Sequence, residues 1–302
     1  MAVMVSVRSV FLLLFMCAFG LAHRLQGVHQ SGLAPDALCL QSRLLRESHI
    51  IPEFLHRTLY DDIHRYNTFG LQGSSEVGLE QKGEREYLLC DECEQRFSDY
   101  ERYAAVFYRG AIMAFSDTTR SESFHGKLLK FTRRGSDGKP TTATVPALLH
   151  VEGVDYVQLK LFLLSLLWRM GVSNLYFFRE VVLGPHEEKI RNMLLNNDPG
   201  NPDLYPCQLR LVEFEHRLLT DCQLQPRKGR FNSMTFYRLF STGVRFDFWV
   251  SNQAIHSGEV ELYCIKRQQE FVWFIESIHK NPDLVAELIK FGTEINLDQW
   301  PK

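Results

Sequence analysis

Hydrophobic residues recur along the chain with two different spacings, one typical of helices and one typical of strands, and these spacings predict where the helices and strands lie. Residues 154–170 form the most hydrophobic stretch after the first thirty residues. Lys160 and Arg169 interrupt this stretch, which therefore predicts a buried core helix and not a membrane span. Asp155 is expected to cap the start of this helix, and Gly171 is expected to end it.

Three further helices are predicted from local patterns. Residues 94–108 follow a pair of cysteines, and their apolar residues recur at spacings of three and four. The residues that share this helix face are Phe97, Tyr100, Tyr103, Ala104 and Phe107. Prolines at positions 185 and 282 predict the starts of two more helices, over residues 186–197 and 283–291.

Short segments of alternating hydrophobicity predict β-strands between and after these helices. The predicted strands are residues 48–51, 127–133, 141–151, 244–250 and 259–265. The glycines within residues 135–139 favour a turn that joins the second and third of these strands. Helices and strands mixed in this order predict the α+β fold class.

The first residues of the chain have the pattern of a secretory signal peptide. Arg8 precedes an apolar run over residues 10–21, and small residues lie at the end of that run. The run is shorter than the ~20 apolar residues that a transmembrane helix needs. Two interpretations stay open: a start codon placed upstream of the true one, which predicts a cytoplasmic protein, and a signal peptide over residues 1–22, which predicts export. In both cases residues 1–30 are expected to lie outside the folded domains.

Composition limits the kinds of protein that this chain can be. Its 302 residues are enough for two domains, and 45% hydrophobic with 23% charged residues is the mixture of a globular protein. The formal net charge of -2 excludes a protein that coats nucleic acid by charge alone. Seven cysteines are too few for a small scaffold stapled by disulfides, and only Cys90 and Cys93 stand at the spacing of metal ligands.

The Cys-x-x-Cys sequence of Cys90 and Cys93 predicts a zinc site. In such a turn both thiolates can reach one zinc ion at about 2.3 Å, because the turn aims both sulfur atoms inward. A tetrahedral site needs two more ligands, and Cys39 is the natural third. Asp36, three residues earlier, is the best-placed fourth ligand. Asp36 can also serve only as the cap of a turn, and both interpretations stay open.

Three motifs together resemble the zinc-bound form of the HNH-endonuclease family: Asp36-x-x-Cys39, His49-Ile-Ile-Pro52 and Leu89-Cys90-x-x-Cys93. The resemblance covers residues 36–103 and implies two short strands and a helix around a catalytic metal, with a second, structural zinc held by the cysteines. It places an HNH-like ββα zinc module over residues 33–108 and a larger mixed α+β domain over residues 110–302. Residues 162–169 and 183–188 also resemble a domain that accompanies such modules in uncharacterised bacterial proteins.

The resemblance also implies roles for single residues. His49 corresponds to the family's general base, which deprotonates the water that attacks the scissile phosphate. Cys39, Cys90 and Cys93 correspond to cysteines of the structural zinc site. Glu94 stands where the family has its final His or Asn, and would then help to bind a catalytic magnesium or manganese ion.

Besides Glu94, three further positions differ from the family pattern. Asp36 stands where the first cysteine is expected, and Arg85 occupies the place of the middle Asn. Ser48 replaces the acidic residue or His that precedes the general base and normally binds the catalytic metal. The nearby groups that can supply a further ligand for that metal are Asp61, Asp62 and His64.

These features predict a nucleic-acid-acting protein with DNA or RNA as its partner, either a metal-dependent endonuclease (a hydrolase) or a descendant that binds without cutting. The arginines close enough in sequence to His49 to contact phosphates are Arg43, Arg46, Arg57 and Arg65. The alternative is a non-catalytic structural zinc module that supports a protein-interaction domain, with His49 as a buried structural histidine and Glu94 as an ordinary first-turn acid. A third class is an exported globular protein with disulfides, and Cys207 and Cys222 at disulfide distance would favour it.

Overall fold

The computed structural model describes most of the chain beyond residue 32. The described residues are 33–57, 59–63, 65–68, 78–80, 83–116, 124–127, 130–134, 140–144, 148–151, 153–214, 217–218, 223–231, 234–251, 264–265 and 271–277. The N-terminal residues 1–32, the helix predicted over residues 283–291 and most of the strand predicted over residues 259–265 lie outside the described residues.

Three α-helices and fifteen strands are formed by the described residues. The helices are α1 (Asp91–Ser116), α2 (Tyr156–Val172) and α3 (Pro185–Leu195). The strands are β1 (Leu33–Pro35), β2 (Ser42–His49), β3 (Tyr66–Thr68), β4 (Gly78–Glu80), β5 (Arg85–Cys90), β6 (Phe124–Lys127), β7 (Lys130–Arg134), β8 (Pro140–Thr144), β9 (Leu148–Val151), β10 (Cys207–Phe214), β11 (Arg217–Leu218), β12 (Gln223–Phe231), β13 (Met234–Ser241), β14 (Val244–Val250) and β15 (Phe271–Ser277). Helices together with mainly antiparallel sheets confirm the predicted α+β class.

A three-stranded antiparallel sheet opens the described chain, with β2 between β1 and β5. The strand predicted over residues 48–51 is the end of the longer strand β2, which stops at His49. The register places His49 opposite Arg85 of β5. α1 then begins at the residue that follows β5, and three acids in its first turn lie at the positive end of the helix dipole. α1 is longer than the predicted helix over residues 94–108 because β5 leads into it without a linker and its buried face continues to Ala111.

α2 lies in the core of the protein, and most of its residues are buried. Asp155 caps its first turn, as predicted, by accepting a hydrogen bond from the backbone N–H of Gln158 at 3.1 Å. The prediction that Gly171 ends the helix is wrong, because α2 continues to Val172. Gly171 instead allows close packing, since a Cβ at this position would lie 2.3 Å from Leu183 Cδ1.

The large sheet has eight strands, with the order β12-β13-β14-β10-β15-β9-β6 and β11 paired to β10. β10 and β15 are parallel, and the other neighbours are antiparallel. The strand predicted over residues 244–250 is β14, and all of its residues are buried. The strands predicted over residues 127–133 and 141–151 are interrupted, so that β7 and β8 form the expected hairpin while β9 joins the large sheet.

One cluster of buried apolar side chains joins the three-stranded sheet, the helices and the large sheet. The ring of Phe97 in α1 packs edge-on against Trp168 of α2, with 6.1 Å between the ring centroids. The hydroxyl of Tyr108 donates a hydrogen bond to the carbonyl of Thr242 at 2.5 Å. α1 is therefore held against both α2 and the sheet. Among the described helices, none combines the length and the apolar character that crossing a membrane requires.

Candidate metal centre and the histidine beside it

Four side chains that the sequence predicts as metal ligands lie together. They are Asp36, Cys39, Cys90 and Cys93, and their potential ligand atoms all lie within 4.8 Å of one another. Around a tetrahedral zinc ion with sulfur at about 2.3 Å, neighbouring sulfur atoms are about 3.8 Å apart. The cluster can therefore hold a metal ion after small side-chain movements, and a set of three thiols with one carboxyl group suits zinc.

Two turns bring these side chains to one point. Asp36 follows β1 and starts the metal turn, residues 36–39, in which its carbonyl accepts a hydrogen bond from the N–H of Leu40 at 2.9 Å. Cys90 is the last residue of β5, and Cys93 lies in the first turn of α1. Because β2 pairs with both β1 and β5, the two turns meet at the same end of the three-stranded sheet.

The carboxylate of Asp36 is fully buried and accepts three backbone hydrogen bonds. Oδ1 accepts from the N–H groups of Leu38 at 2.7 Å and Cys39 at 2.6 Å, and Oδ2 accepts from the N–H of Cys90 at 2.5 Å. Burial acts to raise the pKa of Asp36, but the hydrogen bonds from Cys90 and Cys39 bring it below its usual value. Asp36 is therefore an ionised cap of its own turn. Since Oδ2 accepts only one of the three hydrogen bonds, it still has a lone pair to offer a metal ion.

The thiols of Cys90 and Cys93 are held in their protonated form when no metal is bound. Burial raises the pKa of Cys93, and the negative charge of Asp36 raises it further. Burial also raises the pKa of Cys90. Since a metal ion binds the thiolate, metal binding must displace these protons and should weaken as the pH falls.

A residue of α3, which the sequence did not single out, closes the metal turn. Arg191 donates a hydrogen bond from Nη1 to the carbonyl of Leu38 at 2.5 Å. The guanidinium also donates two hydrogen bonds of 2.7 Å, from Nε and Nη2, to the carboxylate of Glu188. Leu38 lies 153 positions from Arg191, so no local spacing could have indicated the contact.

His49, the predicted general base, is the last residue of β2 and is partly exposed, with 24% of its side chain accessible. Its Nε2 atom lies 2.9 Å from Oε2 of Glu53 but does not have the angular geometry of a hydrogen bond. Burial lowers the pKa of His49, and the nearby positive charge of Arg85 lowers it further, against the opposing effect of Glu53. The imidazole is therefore neutral at neutral pH, which is the state that a general base needs.

Glu53 is a second residue that sequence reasoning missed. It begins the 3-10 turn Glu53–Leu55 directly after the His49-Ile-Ile-Pro motif, so its place four residues after His49 was the signal that could have indicated it. Its carboxylate also lies 3.5 Å from the hydroxyl of Tyr60 and 3.8 Å from Arg85 Nη2. Burial and then the charge of Glu53 raise the pKa of Tyr60 to about 12.

Ser48 and Glu94, the two positions that the family resemblance assigns to the catalytic metal, lie beside each other. Ser48 is buried, and its hydroxyl lies close enough to the Glu94 carboxyl group to lower the pKa of that group. Burial raises the pKa of Glu94, and the nearby Ser48 hydroxyl opposes the rise only in part. The Oε1 atom of Glu94 is buried and has no hydrogen-bond partner among the described residues. Glu94 is thus a half-buried carboxyl group with a weakened tendency to ionise.

A buried cation lies against this pair. Arg169 of α2 is 1% exposed, and its Nη1 atom lies 2.7 Å from the carbonyl oxygen of His49 and 2.7 Å from Oε1 of Glu101. Its charge acts on Glu94, and its guanidinium lies 5.3 Å from the centroid of the Phe97 ring. The sequence indicated Arg169 only as a polar interruption of a core helix. The structure places it between His49 and Glu94.

The arginines predicted to contact phosphates are mostly paired with acids. Arg43 lies 3.8 Å from Glu92, and Arg46 lies 2.8 Å from Asp91. Arg65 lies 2.9 Å from Asp61, one of the suggested extra metal ligands. Arg57 and Asp62 are exposed, and His64 lies outside the described residues.

The suggested disulfide lies away from this region. Cys207 is buried beside Lys160, with Nζ and Sγ 3.8 Å apart, while Cys222 lies outside the described residues, so the suggested disulfide stays a prediction.

A buried polar network joins the candidate site to the large sheet. His56 Nε2 lies 3.2 Å from Oε2 of Glu84, which accepts a hydrogen bond from Gln223 at the start of β12.

No protein-family model, curated protein or solved structure matches this chain. The interpretation of its site therefore depends on the residues and their geometry.

Proposed function

We propose that this chain is a nucleic-acid-binding protein built on a zinc-stabilised, HNH-like ββα module that binds without cutting. The strands β2 and β5 followed by α1 supply the ββα order that the resemblance implies. The cluster of Asp36, Cys39, Cys90 and Cys93 supplies a donor set with the softness and number of ligands of a structural zinc site.

One observation carries the assignment to a module of this type. Ser48 and Glu94 are 46 positions apart, yet the Ser48 hydroxyl lies close enough to the Glu94 carboxyl group to lower its pKa, and these are the two positions that the resemblance assigns to the catalytic metal. A chance arrangement of a Cys-x-x-Cys turn would not bring these two positions together as well. The same arrangement argues against catalysis, because a neutral serine and a carboxyl group whose pKa is raised by burial are poor ligands for a divalent cation.

The charges around this contact are unsuited to a divalent cation. Magnesium and manganese prefer several ionised oxygens in octahedral geometry. Here Ser48 is neutral, burial raises the pKa of Glu94, and the Arg169 cation lies close enough to Glu94 to act on its charge. Within the described residues, the only group of three or more potential metal-ligating side chains is the cluster at the metal turn.

A weak phosphodiester hydrolase is the second candidate, and the environment of His49 favours it. His49 is neutral and partly exposed, and Glu53 lies next to it. In such a reaction the imidazole would accept a proton from the attacking water, and the Glu53 carboxylate, 2.9 Å from the buried Nε2 atom, would stabilise the imidazolium that forms. A general base alone contributes about 10²–10⁴-fold, so slow cleavage is the most that this pair supports.

Three measurements on the full chain separate the candidates. Elemental analysis of protein purified without chelator should find one zinc per chain. A labelled oligonucleotide should bind, and plasmid cleavage with magnesium or manganese should not exceed the level of His49→Ala. Cleavage that depends on the divalent ion and disappears in His49→Ala would replace the binding proposal with the hydrolase. Absence of zinc would overturn the module itself.

A further inference from the structure

Strand β12 lies at one edge of the large sheet in the part of the chain that the structure describes. Its C-terminal half has the sequence Arg227-Lys228-Gly229-Arg230-Phe231. Lys228 and Arg230 are exposed, and their side chains form no ion pair with the described residues. Phe231 is an exposed aromatic residue, with 38% of its surface accessible. We call Arg227, Lys228, Arg230 and Phe231 the β12 edge.

A layer of aromatic rings lies behind the β12 edge. The ring of Phe231 is edge-on to Trp249 of β14 at 6.1 Å, and Phe236 of β13 lies 5.1 Å from the same tryptophan. The guanidinium of Arg238 lies 5.0 Å from the centroid of the Phe236 ring. Gly229 is required beneath this ring, because a Cβ there would lie 2.2 Å from Phe236 Cζ. The rings therefore form a platform across three strands, and Phe231 is its exposed end.

Positive charge is concentrated in the same three strands. β12, β13 and β14 contain five basic residues and one acidic residue, Asp247. Asp247 is buried and is shared by Arg238 at 2.6 Å and Arg245 at 3.1 Å. Near the metal turn, by contrast, Arg43 and Arg46 each have a carboxylate partner. The Glu180 carboxylate also lies at this edge, where it accepts a hydrogen bond from the backbone N–H of Lys228 at 3.3 Å. Even so, positive charge is in excess at the β12 edge and not beside His49.

We infer that the β12 edge binds the backbone of a single-stranded nucleic acid and that Phe231 stacks on one of its bases. Side chains two apart on a strand project from the same face about 6.7 Å apart. Lys228 and Arg230 therefore contact neighbouring phosphates, while Arg227 and Phe231 project from the other face towards a base. Exposed aromatic rings next to cationic side chains are the usual means of holding single strands without sequence preference.

The position of β12 connects this surface with the candidate site. β12 starts at Gln223, whose side-chain amide donates a hydrogen bond to Glu84 at 3.2 Å next to His56. From there the strand runs about 26 Å to Phe231. A single strand bound along the edge would thus lead away from the HNH-like module. This inference rests on the proposed nucleic-acid-binding function and names the surface that performs it.

The test is fluorescence anisotropy of the full chain with a labelled single-stranded oligonucleotide of mixed sequence. Lys228→Gln with Arg230→Gln should weaken binding by about tenfold or more at low salt. Loss of two phosphate contacts should also reduce the slope of log affinity against log salt by about 1.4. Phe231→Ala should weaken binding by about 5- to 150-fold with little change in that slope.

Arg43→Gln with Arg46→Gln is the matched control, because it removes the same net charge from arginines that already have acidic partners. It should leave affinity within about twofold. Equal loss in the control and the β12 variant would overturn the inference, since general charge would then explain both. An unchanged affinity of the β12 variant would overturn it as well. Self-association of that variant with unchanged binding would show that the basic residues only protect a sheet edge from pairing.

Failure here and failure of the proposed function give different results. Wild-type protein that contains zinc and binds the oligonucleotide equally well without the β12 charges would contradict only the surface assigned here. Wild-type protein that binds no nucleic acid would contradict both. Thermal melting and zinc content of the β12 variant should match the wild type, because the substituted side chains are exposed.

Discussion

Replacement of Asp36 tests whether its carboxylate belongs to a metal centre or only caps a turn. Asp36→Asn keeps one carbonyl oxygen for the N–H groups of Leu38 and Cys39, at the positions where Oδ1 now lies. It also places an amide NH₂ group against the N–H of Cys90, which now donates to Oδ2 at 2.5 Å. A buried N–H left without an acceptor costs about 1–3 kcal/mol, and the lost hydrogen bond involves a charged group. We therefore expect Asp36→Asn to lower the free energy of unfolding by about 2–3 kcal/mol.

The matched variant is Asp36→Cys, which completes the cysteine set that the family resemblance implies. In the metal-free protein its thiol is a poorer acceptor than a carboxylate, so this variant should also be less stable than the wild type. With zinc bound the order should change, because a fourth thiolate is a good zinc ligand and an amide is a poor one. Asp36→Cys should then retain zinc at least as well as the wild type. Asp36→Asn should lose zinc affinity by more than the about 10–100-fold that removal of an outer partner costs.

The assay is zinc release to a colorimetric chelator, measured beside urea unfolding with and without zinc. Equal release rates for the wild type and Asp36→Asn would refute the role of Asp36 as a ligand and leave it as a turn cap. If zinc does not stabilise the wild-type protein, the four side chains do not form a metal centre at all. A destabilisation of Asp36→Asn well below 1 kcal/mol would instead refute the hydrogen-bond argument.

Three other perturbations follow from buried contacts. Asp247→Asn should lower the free energy of unfolding by about 3–5 kcal/mol in urea melts, because it leaves Arg238 and Arg245 without their shared carboxylate; a loss below 1 kcal/mol would show that solvent already screens the group. Gly171→Ala should cost about 1–3 kcal/mol because its Cβ meets Leu183, and Leu183→Ala should reduce that added cost in a double-mutant cycle. The pKa of His49 is lowered from 6.5 by folding, chiefly through burial, so the unfolded chain binds its proton more readily. Stability should therefore fall as pH decreases below 6.5, and His49→Gln should make that fall shallower, whereas an identical pH profile would contradict the assignment.

The four side chains of the candidate metal cluster could be predicted from the sequence because their convergence is local. Cys90 and Cys93 are three positions apart, as are Asp36 and Cys39, and each pair needs only a turn to converge. The partners that complete the region come from far along the chain. Arg169 reaches the carbonyl of His49 across 120 positions, and no periodicity carries that information.

The role of Gly171 was misassigned for a related reason. A glycine near the end of an apolar helix usually adopts the left-handed conformation that terminates it. The competing requirement, space for Leu183 from a neighbouring segment, is tertiary and leaves no local mark. The burial of β14 on both faces likewise depends on what covers the sheet. The described helices and strand β14 were therefore accessible from the sequence, whereas the large-sheet strands β10, β12, β13 and β15 and the close packing were not.

The contacts of Arg169 and Arg191 with the N-terminal segment have a consequence for a broken chain. Within residues 33–116, the carbonyl of His49 accepts a hydrogen bond from Arg169, and the carbonyl of Leu38 accepts one from Arg191. In the other direction, Arg96 of α1 donates a hydrogen bond to the carbonyl of Leu195 at 2.9 Å. These contacts surround the shared apolar cluster, and none of them depends on the peptide bonds that link α1 to β6. Two fragments divided between residues 116 and 124 should therefore copurify and recover their fold when mixed, by fragment complementation, while the shorter fragment alone should be insoluble.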